Sequence, residues 1–192
     1  MIHNDTHYTD KTFTAADFEG VGQVIGCEFD GCRFDGCVLI NIPFTSCRFT
    51  ECVFDNCDLT AVKVKNSYFS DVTVQNSKAI AVKWELCRAP LGVTFTESNL
   101  TASSFYALDL RHLKMTGCDA GEVDFAEARL AKADFSGTNL EGAVFRNADL
   151  EAADFSDAAN YTIDPLKTNL KNAKFSLPEA VALLKSLPIK LV

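Results

Sequence analysis

The segment CEFDGCRFDGCVLINIPFTSCRFTECVFDNCDL, residues 27–59, repeats one pattern every five residues. Its cysteines are always separated by five residues or a multiple of five: Cys27, Cys32, Cys37, Cys47, Cys52 and Cys57. Phe29 and Phe34 each follow a cysteine by two residues. Neither an α-helix, with about 3.6 residues per turn, nor a β-strand, with a period of about two, produces this spacing. The pattern therefore predicts a different backbone path.

The same register extends along most of the chain. All 15 phenylalanines occupy one position of the five-residue unit, which we call the centre, and all eight cysteines lie two residues before a centre. The register shifts by one residue between Phe18 and Val24 and again between Ala89 and Phe95. Self-similarity at a fixed period is typical of solenoids, in which each turn contacts only its neighbours. We therefore interpret the cysteines as small buried residues of a repeating layer.

Metal binding and disulfide formation are the alternatives for the cysteines. Zinc sites use pairs such as C-x2-C with histidine or a second pair, whereas the spacing here is C-x4-C without a nearby histidine. Disulfides require an oxidising compartment, and no signal segment opens the chain. No apolar run of about 18 residues could span a membrane. We expect no metal, no cofactor, no membrane partner and a cytoplasmic location.

A coil that turns a corner after every five residues explains the period. Four such sides close a square of twenty residues, so residue n stacks on residue n+20 of the next coil. The centre of each side points inward. The centres support this because similar residues recur at that interval. Phe135, Phe155 and Phe175 form one column, Phe105, Phe125 and Phe145 the opposite one, and Leu110, Leu130, Leu150 and Leu170 an adjacent one. At about 4.8 Å per coil, eight coils predict a rod about 40 Å long with an aromatic core ladder.

Three segments are predicted. Residues 1–10 form a polar N-terminal tail, residues 11–175 form the repeats with register slips near 19–24 and 90–95, and residues 176–192 form a C-terminal helix and tail. Ser176 and Glu179 match a capping box for an α-helix over residues 177–186. Its apolar side chains predict a homodimer interface, against the alternative that the helix only caps its own core: Ala180, Val181, Leu183, Leu184 and Leu187.

The stretch ADFSGTNLEGAVFRNADLEAADFSD, residues 133–157, resembles the A-(D/N)-(L/F)-x-x motif of the pentapeptide repeat proteins. The resemblance covers roughly residues 11–175. It implies an all-β solenoid, namely a right-handed quadrilateral β-helix, closed by the short C-terminal helix.

Charge is segregated along the chain, whose net charge is −8. Residues 1–60 and residues 116–157 each carry ten acidic and three basic side chains. Asp134 and Asp154 stack one coil apart, where carboxylates about 5 Å from each other repel. This charge disfavours nucleic acid as a partner and predicts an acidic face that imitates DNA to a protein, against the alternative of an ordinary solvated surface. The predicted partner-binding residues are Asp119, Asp124, Asp134, Asp149, Asp154, Glu122, Glu127 and Glu151.

Three further segments, residues 85–95, 108–119 and 160–187, are similar to the Qnr and MfpA group of the same family. The resemblance implies dimerisation through the C-terminal helix, binding to DNA gyrase or topoisomerase IV in place of DNA, and resistance to quinolones or gyrase toxins. Many Qnr proteins carry two inserted loops, and none of that length fits between the regular units here. The chain is therefore nearer to the smooth MfpA type, and protection and inhibition of the enzyme both stay open.

Catalysis has little support in the sequence. His3, His7 and His112 lie apart from one another, and no P-loop, G-x-G-x-x-G, H-E-x-x-H or G-x-S-x-G motif occurs. We expect a non-enzymatic, dimeric DNA mimic, with a structural or scaffold repeat protein for an unrelated partner as the rival hypothesis.

Overall fold

The chain forms a parallel β-solenoid of about eight turns in a computed structural model that describes residues 2–186 and 188–190. Each turn has four short sides, which confirms the right-handed quadrilateral β-helix. Backbone hydrogen bonds join successive coils in both directions. At Leu130 the N–H donates to the carbonyl of Asp149 at 2.7 Å, and the Asp149 N–H donates to the carbonyl of Ala128 at 3.0 Å.

The strands are short because a corner follows each one. They are β1 (His7–Thr9), β2 (Thr12–Phe13), β3 (Val24–Ile25), β4 (Glu28–Asp30), β5 (Arg33–Asp35), β6 (Phe44–Thr45), β7 (Arg48–Thr50), β8 (Val53–Asp55), β9 (Tyr68–Ser70), β10 (Val72–Gln75), β11 (Val93–Thr96), β12 (Met115–Thr116), β13 (Asp154–Phe155) and β14 (Lys174–Phe175). The parallel sheets run in the orders β1-β4-β7-β9, β2-β5-β8-β10-β11-β12, β3-β6 and β13-β14. Short 3-10 helices span Ala15–Phe18, Trp84–Leu86 and Glu179–Ser186.

We name the four sides of the coil by their stacked centres. Wall 1 carries Val24, Phe44, Val64, Trp84, Phe105, Phe125 and Phe145. Wall 2 carries Tyr8, Phe29, Phe49, Phe69, Leu110, Leu130, Leu150 and Leu170. Wall 3 carries Phe13, Phe34, Phe54, Val74, Phe95, Met115, Phe135, Phe155 and Phe175. Wall 4 carries Phe18, Leu39, Leu59, Ala79, Leu100, Ala120 and Leu140.

The predicted aromatic ladder is confirmed. On wall 3 the ring centroids of Phe135 and Phe155 lie 5.1 Å apart, and Phe175 continues the stack 5.0 Å from Phe155. On wall 1 Phe125 stacks between Phe105 at 5.3 Å and Phe145 at 5.2 Å. Stacked rings in a dry core contribute beyond their area burial, so these columns are a principal source of stability.

Both register slips are confirmed by the strand pairing. Phe29 pairs with Phe49, twenty residues on, as the square coil requires. Tyr8 pairs with Phe29 and Val74 with Phe95, in each case twenty-one residues on. One extra residue is therefore accommodated in the coil after Phe18 and in the coil before Phe95.

The prediction of a loose N-terminal tail is wrong for residues 2–10. Strand β1 pairs with β4, and the buried Tyr8 ring stacks on Phe29 at 5.3 Å. Ile2 is also buried against the first coil. The segment looked like a tail because its polar residues occupy the outward positions of a coil, and only two side chains supply the inward contacts.

The corners explain the five-residue period. The residue two after the centre adopts a left-handed backbone conformation in nearly every unit, as Lys132 does with φ +61°. The N–H of the next residue, Ala133, donates to the carbonyl of the centre Leu130 at 2.9 Å. A four-residue turn with positive φ at its third residue is a type II turn. Many units close with this bond, whereas at other corners the N–H bonds the next coil, as Cys47 does to the Ser67 hydroxyl at 3.0 Å. In both cases the left-handed residue changes the chain direction and closes the square.

The position two before the centre forms a second inward ladder. Burial of the cysteines there confirms the sequence interpretation, although Cys87 is only partly buried. The thiols also donate weak hydrogen bonds to the preceding coil, as Cys57 does to the carbonyl of Phe34 at 3.3 Å. Ser67 occupies an equivalent position, and its hydroxyl donates to the carbonyl of Phe44 at 2.8 Å. Small residues that carry a hydrogen-bond donor therefore fit this buried position, as alanine does.

Corner substitutions test the role of the left-handed residue. Ala107, exposed with φ +56°, should gain stability on replacement by glycine, because a Cβ in this conformation costs about 1 kcal/mol. Gly137 has φ +67°, and an added Cβ would meet only ordinary contacts, the nearest at 3.7 Å. Gly137→Ala should therefore lose about 0.5–1 kcal/mol from backbone strain alone. Denaturant unfolding measures the free energy of unfolding of both variants. If both substitutions stabilise the protein, or both destabilise it, the prediction is contradicted.

Candidate protein-binding surfaces

The eight predicted acidic residues do not lie on one face. Their outward positions are distributed over all four walls, because residues five apart lie on neighbouring walls. Asp119 lies on wall 4 and Asp124 on wall 1, while Asp134 and Asp154 lie on wall 3. The other members follow the same rule: Asp149 and Glu151 on wall 2, Glu122 at the corner after wall 4, and Glu127 at the corner after wall 1. The prediction of a single face built from these residues is wrong in its geometry.

The aspartates before the centres stabilise the corners. Asp124 Oδ1 accepts the N–H of Ala126 at 2.9 Å, and Asp134 Oδ1 accepts the N–H of Ser136 at 3.0 Å. The same bond recurs at Asp119, Asp149 and Asp154. A side chain that accepts a backbone N–H two residues on forms an Asx turn, which favours Asp and Asn at this position. The sequence signal was the alternation of Asp with Asn in the motif.

On wall 3 the stacked carboxylates are compensated by lysines. The column runs Lys114, Asp134, Asp154, Lys174, so a lysine flanks each aspartate. Lys174 Nζ lies 2.9 Å from Asp154 Oδ2. Hydrogen bonding from Ser156 and the neighbouring Lys174 lower the pKa of Asp154 to about 2. The argument from uncompensated repulsion between Asp134 and Asp154 is therefore wrong.

Acidic and basic groups alternate on wall 2. Asp149 accepts a hydrogen bond from Asn169 at 2.8 Å, and Glu151 pairs with Lys171 at 3.0 Å. Glu127, at the corner after wall 1, also has a partner. It accepts a hydrogen bond from the Tyr106 hydroxyl, and this bond raises the pKa of Tyr106. These acids have local partners and do not build an extended negative potential.

Negative charge is concentrated on wall 4 and on the two edges that flank it. We call this surface the acidic side and define it by nine carboxylates: Asp17, Asp35, Asp55, Asp58, Glu97, Asp119, Glu122, Glu141 and Asp157. Lys78 is the basic residue of wall 4, and Arg33 pairs with Asp55. The acidic side unites residues from both acidic blocks of the sequence, because stacking brings every twentieth residue together. Of the eight predicted residues, it contains Asp119 and Glu122.

The thiols are suited to burial and not to metal binding. Burial raises the pKa of Cys47 to about 12 and that of Cys118 to about 11, so both stay protonated at neutral pH. Within residues 2–186 and 188–190, no three His, Cys, Asp or Glu side chains are grouped as a metal site would need. In the same ranges, no helix has the length and apolar character needed to cross a bilayer.

The C-terminal helix differs from the sequence prediction. It is a 3-10 helix over Glu179–Ser186 instead of an α-helix, with the Val181 N–H donating to the Pro178 carbonyl at 3.1 Å. The Ser176 hydroxyl accepts the N–H of Asp157 at 3.1 Å, so it binds the preceding coil instead of forming the predicted capping box. A 3-10 helix seldom exceeds three or four residues, so this eight-residue run is unusually long.

Some of the predicted dimer residues face the core of their own chain, and others face solvent. Leu183 packs against the core of its own chain, and Ala180 is partly buried. Val181 and Leu184 are exposed, at 40% and 37%. Leu187 lies outside the described residues. Further exposed apolar side chains at this end were missed by sequence reasoning because they fall outside the helical pattern: Leu166, Leu177 and Ile189.

The geometry defines a β-solenoid repeat protein whose outward side chains vary from coil to coil. Family models agree: the model described as "Pentapeptide repeat region" matches residues 92–177, and the model described as "Pentapeptide repeats (9 copies)" matches residues 25–67. Together they cover more than half of the chain. The chain therefore belongs to the pentapeptide repeat proteins.

Two of the solved structures that align with this chain show the same fold. Two trypsin-treated variants of QnrB1, a plasmid-mediated fluoroquinolone resistance protein, align with TM-scores of 0.60 and 0.57. In both cases the identity is 19% and the alignment covers 99% of each chain. HetL from the cyanobacterium Nostoc sp. strain PCC 7120, involved in heterocyst differentiation regulation, aligns over 88% of this chain and 84% of its own, with 15% identity and a TM-score of 0.28. No curated protein matches the sequence significantly.

The lowered pKa of Asp154 predicts a pH-dependent contribution to stability. Because its pKa is about 2 in the fold against an ordinary 3.8, the ionised carboxylate stabilises the protein above about pH 4 and loses this effect as the pH falls toward 2. Asp154→Asn should lower the free energy of unfolding by about 1 kcal/mol at pH 6, with a smaller loss at pH 2.5. Lys174→Gln removes the cation of the same ion pair, so it should also lower the free energy of unfolding more at pH 6 than at pH 2.5. A loss that is equal at both pH values would contradict the assignment.

Proposed function

We propose that this protein is a non-enzymatic DNA mimic that binds a type II topoisomerase, DNA gyrase or topoisomerase IV, through its acidic side. The proposal is carried by one observation: nine carboxylates are gathered on one side of the rod, while acidic and basic groups alternate on wall 2 and lysines flank the aspartates of wall 3. Family membership and the fold it shares with QnrB1, a fluoroquinolone resistance protein, support the choice of partner. Such binding would either inhibit the enzyme or protect it, and protection would give resistance to quinolones or gyrase toxins.

Charge density sets the expected strength of the mimicry. Duplex DNA carries about one charge per 1.7 Å, whereas the nine carboxylates, partly offset by Lys78 and Arg33, leave a net of about seven charges along roughly 40 Å, or about one per 6 Å. The acidic side is therefore a diluted imitation of the duplex. It still attracts a groove lined by lysine and arginine, accelerates association and makes binding salt-dependent. The same charge repels nucleic acid, so the partner is the enzyme and not its DNA.

The proposal includes a homodimer in a reducing, cytoplasmic setting. All eight thiols are free, as cytoplasmic proteins require. Val181 and Leu184 form an exposed apolar patch at the C-terminal end, continued by Leu177 at 80% exposure. Apolar side chains gathered at one end of a rod favour association with the same patch of a second copy. Joined end to end, two rods would double the length of the acidic side.

Charge reversal tests which side binds. Glu122→Lys with Glu141→Lys places two positive charges on the acidic side, and Glu127→Lys with Glu151→Lys makes the same change on other walls. The corner conformation accepts lysine, since Lys132 adopts it. We expect the first pair to weaken binding to purified gyrase or topoisomerase IV at least tenfold near 50 mM salt, and the second less than about threefold.

The control pair makes the outcome decisive. Equal losses in the two double variants would contradict a dedicated acidic side, because they share the same change in net charge. Wild-type protein at micromolar concentration should also alter supercoiling by purified gyrase with or without a quinolone. If it neither binds nor alters either topoisomerase, the proposed function is wrong and the scaffold hypothesis takes its place.

Association through the C-terminal end is tested by introducing charge. Val181→Glu or Leu184→Glu should convert the dimer to a monomer in sedimentation equilibrium, because a buried unpaired carboxylate is strongly unfavourable at an interface. Leu86→Glu is the matched control, since Leu86 is 47% exposed and lies far from the C-terminal end. A dimer that persists in both C-terminal variants would place the interface elsewhere.

A further inference from the structure

Two exposed aliphatic side chains interrupt the acidic side. Val38 is 55% exposed and Ile40 is 44% exposed, on either side of the buried centre Leu39. In most other coils of wall 4 these two outward positions carry polar residues, as in the pair Asp58 and Thr60, and the exception Ile80 is only partly exposed. Among the described residues of wall 4, Val38 and Ile40 are the large hydrophobic residues that stand exposed.

Corner stability does not explain valine at this position. Asp58 Oδ1 accepts the N–H of Thr60 at 3.0 Å, and Asn99 Oδ1 accepts the N–H of Thr101 at 2.9 Å. Val38 has no acceptor, so its corner lacks the side-chain bond that Asp58 and Asn99 make on the same wall. The coil therefore gives up a local hydrogen bond and exposes apolar surface at the same place, and the fold gains from neither change.

Carboxylates surround the two side chains. Val38 pairs directly with Asp58 of the next coil. Asp17 of the preceding coil lies close enough to Cys37 to act electrostatically on its thiol. Asp35 is exposed at the wall 3 edge of the same coil. The result is an apolar spot within a negative surface, which is the complement of an apolar side chain flanked by lysine or arginine.

We propose that Val38 and Ile40 are an apolar anchor that receives a basic protein segment carrying an exposed apolar side chain. The inference rests on the proposed function, because it places the anchor within the surface assigned to the topoisomerase. Phosphate and sugar present no aliphatic group of this kind, so imitation of charge alone has no use for the anchor. Desolvated apolar contacts ringed by polar groups supply most of the affinity in many interfaces, while surrounding charges govern rate and salt dependence.

The sharpest variant replaces the anchor with residues that other coils of wall 4 use. Val38→Asn with Ile40→Thr reproduces the Asn99 and Thr101 pair, which forms its corner bond at 2.9 Å. The fold should therefore persist with an equal or higher melting temperature. Binding to purified DNA gyrase should weaken about tenfold or more, and the two single substitutions should each show part of this loss.

The matched control changes the same residue type on another wall. Val144 is 43% exposed, lies before a centre of wall 1 and lacks an acceptor in the same way. Val144→Asn should leave the gyrase affinity within about twofold of wild type. The ratio between wild-type and double-variant affinity should also be the same at about 50 and 300 mM salt, because salt screens charge pairs but not apolar contacts.

The outcomes separate this inference from the function on which it rests. Wild-type protein that does not bind gyrase would overturn the proposed function, and the anchor with it. Wild-type binding that the double variant matches would overturn the anchor alone. An affinity ratio that falls toward one at high salt would show an electrostatic effect and would also overturn it.

Discussion

A left-handed residue at nearly every corner is the constraint on which the structure depends. It makes each five-residue unit a straight side followed by a corner, which at many units is a hydrogen-bonded type II turn, as at Leu130 to Ala133. Four such units return the chain to its starting side, one coil further along. Because every coil closes in the same way, backbone groups meet partners on the coils before and after them, and like side chains stack. The aromatic columns are thus a consequence of the turns as much as a cause of the fold.

The same constraint limits how surface charge can be interpreted. Asp124 and Asp134 accept corner N–H groups, so their carboxylates are required by the backbone whatever the protein binds. Many acidic residues of the motif therefore belong to the architecture. Glu122 and Glu141 have no such bond among the described contacts and add charge to the acidic side. The useful distinction is between carboxylates that hold a corner and carboxylates that only face solvent.

Much of the core could be predicted because the repeat translates directly into contacts. The positions of Phe135 and Phe155 in one column followed from a spacing of twenty residues, and the ring distance of 5.1 Å agrees. The first coil was missed, since Tyr8 and Ile2 alone mark it as buried while its outward residues resemble a tail. The 3-10 geometry of Glu179–Ser186 was missed because Ser176 has a partner in the preceding coil, and that contact is not local in sequence.

The sequence by itself determined the period, the core columns, the two slips and the family, because each depends on which residue type recurs at a fixed interval. Only the tertiary structure decided which charges face the same direction and which are compensated. Asp119 and Asp124 are five residues apart in sequence but lie on different walls, while Asp119 and Asp58 share wall 4 across three coils. The physical reason is that an electrostatic surface depends on distance in space, and the corners separate neighbours in sequence while stacking unites residues far apart.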